Sequence, residues 1–310
     1  MAKKMRIHYR APSHVPLWKV MQEGGFLAKH GIEMEMGSLE GQRKRAAEGL
    51  KSGDLDIVSG NHHNLYARKA LNGDPYVHIG QSNNSWRENF LVCGKGINGL
   101  QDLKGKSVAM DDYDGHTGLN VWLYLRLHGL EESRDVKLVT DPVKGAERAK
   151  GVMEGKYDAT FIRAVDRLRA LKFGATIVEV PPMAMIEGVT LTTTTTYVRS
   201  HEEECRSLIK AMIDGTHFFK TNKADTLKIV KKHCSELLKM RGDEEWECFY
   251  ENQVASLESS PYPTIEAVKN VFALAVKRNP EISEFNPIAL WDLHYVKEID
   301  DSGYIRKLYA

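Results

Sequence analysis

Hydrophobic residues in the first two thirds of the chain form short strand-like runs that alternate with helix-like runs. The first cycle predicts strands at 6–10, 32–36, 56–59 and 76–80, with helices at 17–29, 42–51 and 64–71. The second cycle predicts strands at 107–110, 136–140, 159–162 and 176–179, with helices at 119–127, 144–154 and 165–172. This alternation is typical of an α/β fold built on mostly parallel sheets.

The last third of the sequence predicts mainly helices. The β-branched run 189–197 predicts one more strand, which returns the chain to the first part of the fold. Ser200 and Glu203 have the spacing of a capping box and predict a helix from there to about residue 220. Further helices are predicted at 225–240, 243–257 and 264–277, and in the tail after residue 286.

Two polar loops stand between a predicted strand and a predicted helix. One lies in the segment 103–118 and the other in 36–42. Such a loop places backbone N–H groups and the positive end of a helix dipole at the carboxyl end of a strand, where anions bind readily. We therefore expect a small anion to contact residues 38–42 and 114–117.

Composition and charge narrow the classes of partner. The chain has 310 residues and a formal net charge of +1, and its basic residues are scattered, so we expect no nucleic-acid partner. No apolar run approaches the roughly eighteen residues of a membrane span, so we expect no membrane insertion. The four cysteines lack metal-ligand spacing and are expected to be free thiols. Because a strand-like run at 5–9 follows the first residues without an apolar signal core, we expect a cytoplasmic protein.

The order of several motifs resembles the type II solute-binding-protein fold, in the branch of nitrate-, sulfonate- and taurine-binding proteins and thiamine-pyrimidine synthase. These motifs are Ala46-x-x-x-Leu50-x-x-Gly53-x-x-Asp56, Asp102-Leu-Lys-Gly-Lys-Ser-Val108, Asp114-Gly-His-Thr117, Leu130, Gly155-x-x-Asp158-Ala159 and Gly174-Ala175. The resemblance implies two lobes, residues 1–87 with 188–310 and residues 88–187. It also implies two crossing strands that join the lobes, with a ligand cleft between them.

Polar residues at the predicted strand ends supply candidates for chemistry. Histidine suits proton transfer because its unperturbed pKa, about 6.5, lies near neutral pH. The catalytic candidates are His14, His62, His116 and Glu187. The ligand-binding candidates are Arg10, Ser13, Ser38, Glu40, Gly41, Gln42, Asn61, His63, Asn83, Trp86, Arg87, Asp112, Asp114, Gly115, Thr117 and Arg163. Structural alternatives stand beside them: backbone hydrogen bonding for the loop histidines, core packing for Trp86, and a solvated basic helix face for Arg163.

Two functions compete at this point. The first is a cytoplasmic lyase of the decarboxylase type that needs no cofactor and no metal and acts on a cyclic or aromatic carboxylate. The resemblance includes such enzymes, dihydroxyphthalate decarboxylase among them. The alternative is the substrate-binding component of an ABC transporter for a small organic anion such as a sulfonate. The cysteine-rich iron motif of thiamine-pyrimidine synthase is missing, so that activity is not expected. The sequence leaves open whether the chain forms a homodimer.

Overall fold

A computed structural model describes residues 3–60, 62–113 and 116–310, apart from the side chains of Arg43 and His116. The chain divides into two compact units. Unit 1 comprises Met1–Asn84, Met185–Gly242 and Gln253–Ala310, and unit 2 comprises Ser85–Ala184 and Asp243–Asn252. No helix within the described residues is long and apolar enough to cross a membrane.

The strands among the described residues form two five-stranded sheets, one in each unit. They are β1 (Lys3–Tyr9), β2 (Ile32–Ser38), β3 (Ile57–Ser59), β4 (Tyr76–Trp86), β5 (Phe90–Cys93), β6 (Lys106–Met110), β7 (Val136–Thr140), β8 (Ala159–Ile162), β9 (Thr176–Glu179) and β10 (Met183–Thr194). Their order is β2-β1-β3-β10-β4 in unit 1 and β7-β6-β8-β5-β9 in unit 2. The predicted α/β class is confirmed.

Helices connect and cover these sheets. They are α1 (Val15–Glu23), α2 (Phe26–Lys29), α3 (Arg43–Ser52), α4 (Asn64–Asn72), α5 (His116–Leu127), α6 (Gly145–Met153), α7 (Ala164–Leu171), α8 (Thr195–Ser200), α9 (Glu202–Thr221), α10 (Lys223–Leu238), α11 (Asp243–Ser256), α12 (Ile265–Arg278), α13 (His294–Asp301) and α14 (Tyr304–Leu308). Short 3₁₀ turns lie at Pro12–His14, Leu100–Leu103, Pro280–Ile282 and Pro287–Leu290.

Parallel pairing sets the direction of the central strands. In unit 1, β1 runs parallel to both β2 and β3, while β10 runs antiparallel to β3. In unit 2, β6 runs parallel to both β7 and β8, while β5 runs antiparallel to β8 and β9. Each sheet therefore gathers the carboxyl ends of three parallel strands at one edge, which is where ligands of open α/β sheets bind.

An aspartate with the same pair of backbone hydrogen bonds directly precedes β3 in unit 1 and β8 in unit 2. Asp56 accepts a hydrogen bond at Oδ2 from the Arg6 backbone N–H (2.7 Å), and its own N–H donates to the Arg6 carbonyl (3.1 Å). Asp158 does the same with Ser107, at 2.8 Å and 3.1 Å. These bonds from Ser107 hold the pKa of Asp158 below its ordinary value. The similarity between the two half-cycles of the sequence thus has a structural counterpart.

Three local predictions are wrong. The helix expected over 17–29 breaks at Gly24 and Gly25, where Gly25 adopts a left-handed φ of 77° that favours glycine. The strand expected over 189–197 ends at Thr194, whose hydroxyl caps α8 by accepting from the Tyr197 N–H. The expected capping box is also absent, because Ser200 is the last residue of α8 and its hydroxyl donates to the Thr196 carbonyl (2.9 Å). Local hydrogen bonding by threonine and serine overrides the β-branched pattern here.

Candidate functional site

The carboxyl edge of the unit 1 sheet collects several of the predicted ligand-binding residues. Arg10 follows β1, and its N–H donates to the Ser59 carbonyl at the end of β3 (3.1 Å). Its guanidinium Nη1 donates to the Leu39 carbonyl beyond β2 (3.2 Å). Arg10 therefore ties together the ends of three neighbouring strands.

His14 is a buried residue of this edge, with 5% of its surface exposed. Its Nδ1 lies 3.1 Å from both the carbonyl oxygen and the hydroxyl oxygen of Ser59. Gly60 has a φ of 92°, and a Cβ there would lie 2.7 Å from the His14 ring, so the turn after β3 requires glycine. His14 thus has a packing role that the catalytic hypothesis did not include.

The remaining unit 1 candidates fall into two surroundings. The His62 ring is half-buried with its centre 6.5 Å from that of His14, and His63 is buried directly before α4. Ser38 is the exposed last residue of β2, and Glu40, Gly41 and Gln42 lie in the exposed loop that follows it, while Ser13 is half-buried. The structure therefore brings Arg10, His14 and His62 to one edge and leaves the 38–42 loop beside them facing solvent.

Asn83 and Glu187 are half-buried on β4 and β10, which are neighbouring strands. The Glu187 carbonyl accepts a hydrogen bond from Gln81 Nε2 (2.7 Å). Gln81 itself was not predicted. It is fully buried, and its Oε1 accepts from the Thr190 hydroxyl (2.6 Å). Gln81 thus links β4 to β10 by side-chain hydrogen bonds, close to Asn83 and Glu187 along these strands.

In unit 2 the carboxyl edge is formed by the ends of β6, β7 and β8. Asp111 and Asp112 follow β6, Asp141 follows β7 and Arg163 follows β8. Each of these strands leads into a helix, so that the first turns of α5, α6 and α7 lie at this edge. Thr117 is half-buried in the first turn of α5. Helix N-termini attract anions.

Arg163, one of the ligand-binding candidates from the sequence, is a cation at this edge. Its Nε donates to Glu88 Oε1 (2.8 Å), and 49% of its side chain is exposed. Its helix neighbours have other partners: Arg167 lies over the Phe90 ring at 5.1 Å, and Arg169 pairs with buried Glu245 at 2.6 Å. Arg167 and Arg169 thus contact protein groups, whereas Arg163 is half exposed, so for Arg163 the alternative of a solvated residue stays open.

Glu88 and Arg148 complete the charge cluster and were missed from the sequence. Glu88 is 5% exposed, and the pKa of its carboxyl is raised above its ordinary value because the effect of burial outweighs the lowering by Arg163 and Arg148. Arg148 is also 5% exposed, and its guanidinium donates to the Thr160 hydroxyl (3.2 Å) and the Val143 carbonyl (2.7 Å). A charged residue on a predicted helix face carries no sequence signal for burial.

The other unit 2 candidates divide between the core and the undescribed residues. Trp86 is 2% exposed, and its ring packs against Tyr124 (5.3 Å) and Phe161 (5.9 Å), which is the core-packing alternative. Arg87 is half-buried, and Asp112 is exposed. Asn61, Asp114, Gly115 and the His116 side chain lie outside the described residues. Among those described, no three His, Cys, Asp or Glu side chains are grouped as metal ligands.

Two mixed five-stranded sheets, each with three parallel strands ending at a polar edge, define a type II periplasmic solute-binding protein fold. The chain belongs to the NMT1/THI5-like family, whose model matches residues 11–225. The resemblance stated from the motifs is confirmed. No curated protein sequence matches the chain.

Solved structures share this fold across nearly the whole chain. A putative sulfonate ABC transporter protein, the periplasmic sulfonate-binding protein SsuA from Methylobacillus flagellatus KT, matches with a TM-score of 0.70 and 15% identity, covering 98% of this chain and 96% of its own. The periplasmic nitrate-binding protein NrtA from Synechocystis PCC 6803 matches at 0.64 and 12%, covering 97% and 89%. The desulfurization enzyme DSZB matches at 0.61 and 15%, covering 96% and 99%. At these identities the likeness establishes the fold alone.

Proposed function

We propose that this protein binds a small organic anion as the substrate-binding component of an ABC transporter. The observation that carries the proposal is Arg163, a half-exposed guanidinium at the carboxyl edge of β8 and at the start of α7. A guanidinium presents a planar fork of N–H donors that fits sulfonate and carboxylate groups. Solved proteins of the same fold include a sulfonate-binding and a nitrate-binding protein, which supports an anionic ligand.

The lyase hypothesis has less support. Solved proteins of the same fold include the sulfonate-binding protein of an ABC transporter and a nitrate-binding protein, which favours binding over conversion. The fold also occurs in the desulfurization enzyme DSZB, so conversion of the bound anion belongs among the outcomes of the test. The ligand position that the resemblance implies, in a cleft between two lobes, stays a prediction.

Binding can be tested by isothermal titration calorimetry with nitrate, ethanesulfonate, propanoate and benzoate. We expect at least one of these anions to bind, and Arg163→Ala to weaken it by about ten- to hundredfold, as for loss of a charged hydrogen bond. The matched control is Arg134→Ala, because Arg134 precedes β7 at the opposite edge of the same sheet and pairs with Asp135 (2.6 Å). Absence of binding by every anion, or equal weakening by both variants, would contradict the proposal.

Turnover and location separate transport from catalysis. Each anion that binds should be recovered unchanged after long incubation with the protein, as judged by NMR of the ligand. The substrate-binding component of an ABC importer binds its ligand outside the cytoplasmic membrane. The cytoplasmic location expected from the sequence is therefore incompatible with this function. Cell fractionation of the native protein decides between them, and a cytoplasmic protein that converts its ligand would favour the lyase.

A further inference from the structure

Residues 86–89 place a row of polar side-chain atoms in the interior without hydrogen-bond partners. The atoms are Nε1 of Trp86, Nε of Arg87, Oε2 of Glu88 and Oδ1 of Asn89, each buried and unpaired within the described part of the chain. Proteins rarely leave such groups unsatisfied, because each costs free energy when it gives up water. Trp86 belongs to the aromatic core formed with Tyr124 and Phe161, whereas Glu88 contacts Arg163 at the carboxyl edge of β8.

Glu88 is the most informative of the four, because a second buried acid of unit 2 shows what full pairing looks like. Glu245 is 1% exposed, and both of its oxygens accept from Arg169: Oε1 from Nε (2.9 Å) and Oε2 from Nη2 (2.6 Å). Glu88 is 5% exposed, and only its Oε1 accepts from an arginine, Arg163. Arg163 thus satisfies half of a carboxylate that Arg169 satisfies completely.

The unpaired oxygen of Glu88 lies in a charged setting that favours a polar occupant. Arg163 contacts the same carboxyl, and Arg148 and Asp111 act on it electrostatically. In the ion pair with Arg163, Glu88 is a carboxylate, whose oxygens accept hydrogen bonds and do not donate them, so the partner that Oε2 lacks is a donor. An apolar group placed there would leave the oxygen unsatisfied.

We propose that Glu88 is a specificity-determining residue that accepts a hydrogen bond from a hydroxyl or amine group of the bound anion. This inference rests on the proposed function, in which Arg163 binds the anionic group. Since Glu88 and Arg163 are in contact, the two groups of the ligand are separated by a short spacer of about two or three carbons. The ligand class is therefore a small hydroxy- or amino-substituted sulfonate or carboxylate.

The test compares pairs of anions that differ only in the donor. Calorimetry would measure ethanesulfonate against 2-hydroxyethanesulfonate, and propanoate against 3-hydroxypropanoate and 3-aminopropanoate. The donor-bearing member should bind the unmodified protein about ten- to hundredfold more tightly. In Glu88→Gln the amide oxygen faces the Arg163 N–H and the amide NH₂ replaces Oε2, so the preference should fall to one or below. Glu245→Gln, the matched control, should keep the preference.

The outcomes separate this inference from the proposed function. If the unmodified protein binds the plain and the donor-bearing anions equally, the inference is wrong and the anion-binding function stands. The same holds if Glu88→Gln, with an unchanged melting temperature, keeps the full preference. If no anion of either kind binds, both are wrong. The comparison of plain and donor-bearing anions uses the unmodified protein. It therefore tests the inference even if the Glu88→Gln protein does not fold.

Discussion

Asp214 allows a quantitative prediction about stability. Its side chain lies on α9 with 2% exposed and accepts hydrogen bonds from Lys29 Nζ (2.7 Å), His30 Nε2 (2.9 Å) and the Tyr304 hydroxyl (2.7 Å). Burial by itself would raise the pKa of Asp214, but these bonds from His30, Lys29 and Tyr304 outweigh it and lower the pKa from 3.8 to about 2. The carboxylate therefore stabilises the folded state.

The magnitude follows from linkage between protonation and folding. One unit of pKa corresponds to about 1.4 kcal/mol, so the lowered pKa of Asp214 contributes about 2 kcal/mol to the free energy of unfolding. Since the folded-state pKa is the lower one, the contribution is complete above about pH 4 and disappears as the pH falls towards 2. Asp214→Asn should therefore reduce stability by about 2 kcal/mol at pH 7, and the difference should narrow below pH 4.

Urea unfolding followed by circular dichroism, at several pH values from 7 to 3, measures this difference. The control is Asp301→Asn, because Asp301 is 64% exposed and its pair with Lys297 lies on the surface of α13, where such pairs contribute little. A destabilisation by Asp214→Asn that is no larger than that of the control would refute the reasoning. So would a difference that stays constant down to pH 3.

Two further predictions concern packing and thiol chemistry. Gly118→Ala should lower the free energy of unfolding by about 1–3 kcal/mol, because the new Cβ would lie 2.1 Å from the Asp112 carbonyl oxygen. Gly99→Ala is the control, because Gly99 has open space around it, and it should change the melting temperature little. Equal effects of the two substitutions would contradict the packing argument. Cys248 is half-buried whereas Cys205 is buried, with burial raising its pKa to about 12, so a thiol reagent at pH 8 should modify Cys248 first and Cys205 only on unfolding. Mass spectrometry of the modified peptides gives the order, and early labelling of Cys205 would be inconsistent with the structure.

The strands of both sheets could be predicted from the sequence because they are short apolar runs bounded by turn residues. The bounds of β7, β8 and β9 agree with the predicted ones. The break at Gly24 and Gly25 was missed because the apolar pattern continues across it. A periodic pattern reports which face is buried and does not report where the backbone changes direction.

The candidate site was only partly predictable. The positions of Arg10 and Arg163 at strand ends could be predicted, because each directly follows a strand, and the α/β fold places ligand-binding residues there. Glu88 was missed because its burial depends on Arg163, which lies 75 positions further along the chain. Pairing between a buried acid and a distant base is set by tertiary structure and has no local pattern.

The place of β10 in the unit 1 sheet has a consequence for how the chain folds as it is synthesised. β10 lies between β3 and β4, so β4 has no strand partner within the sheet until residues 183–194 have emerged. Thr190 and Gln81, which then form a hydrogen bond, are 109 positions apart. Every strand of the unit 2 sheet precedes β10, and such long-range closure is slow compared with local pairing. During synthesis, all strands of the unit 2 sheet are therefore available before the unit 1 sheet can be completed by β10.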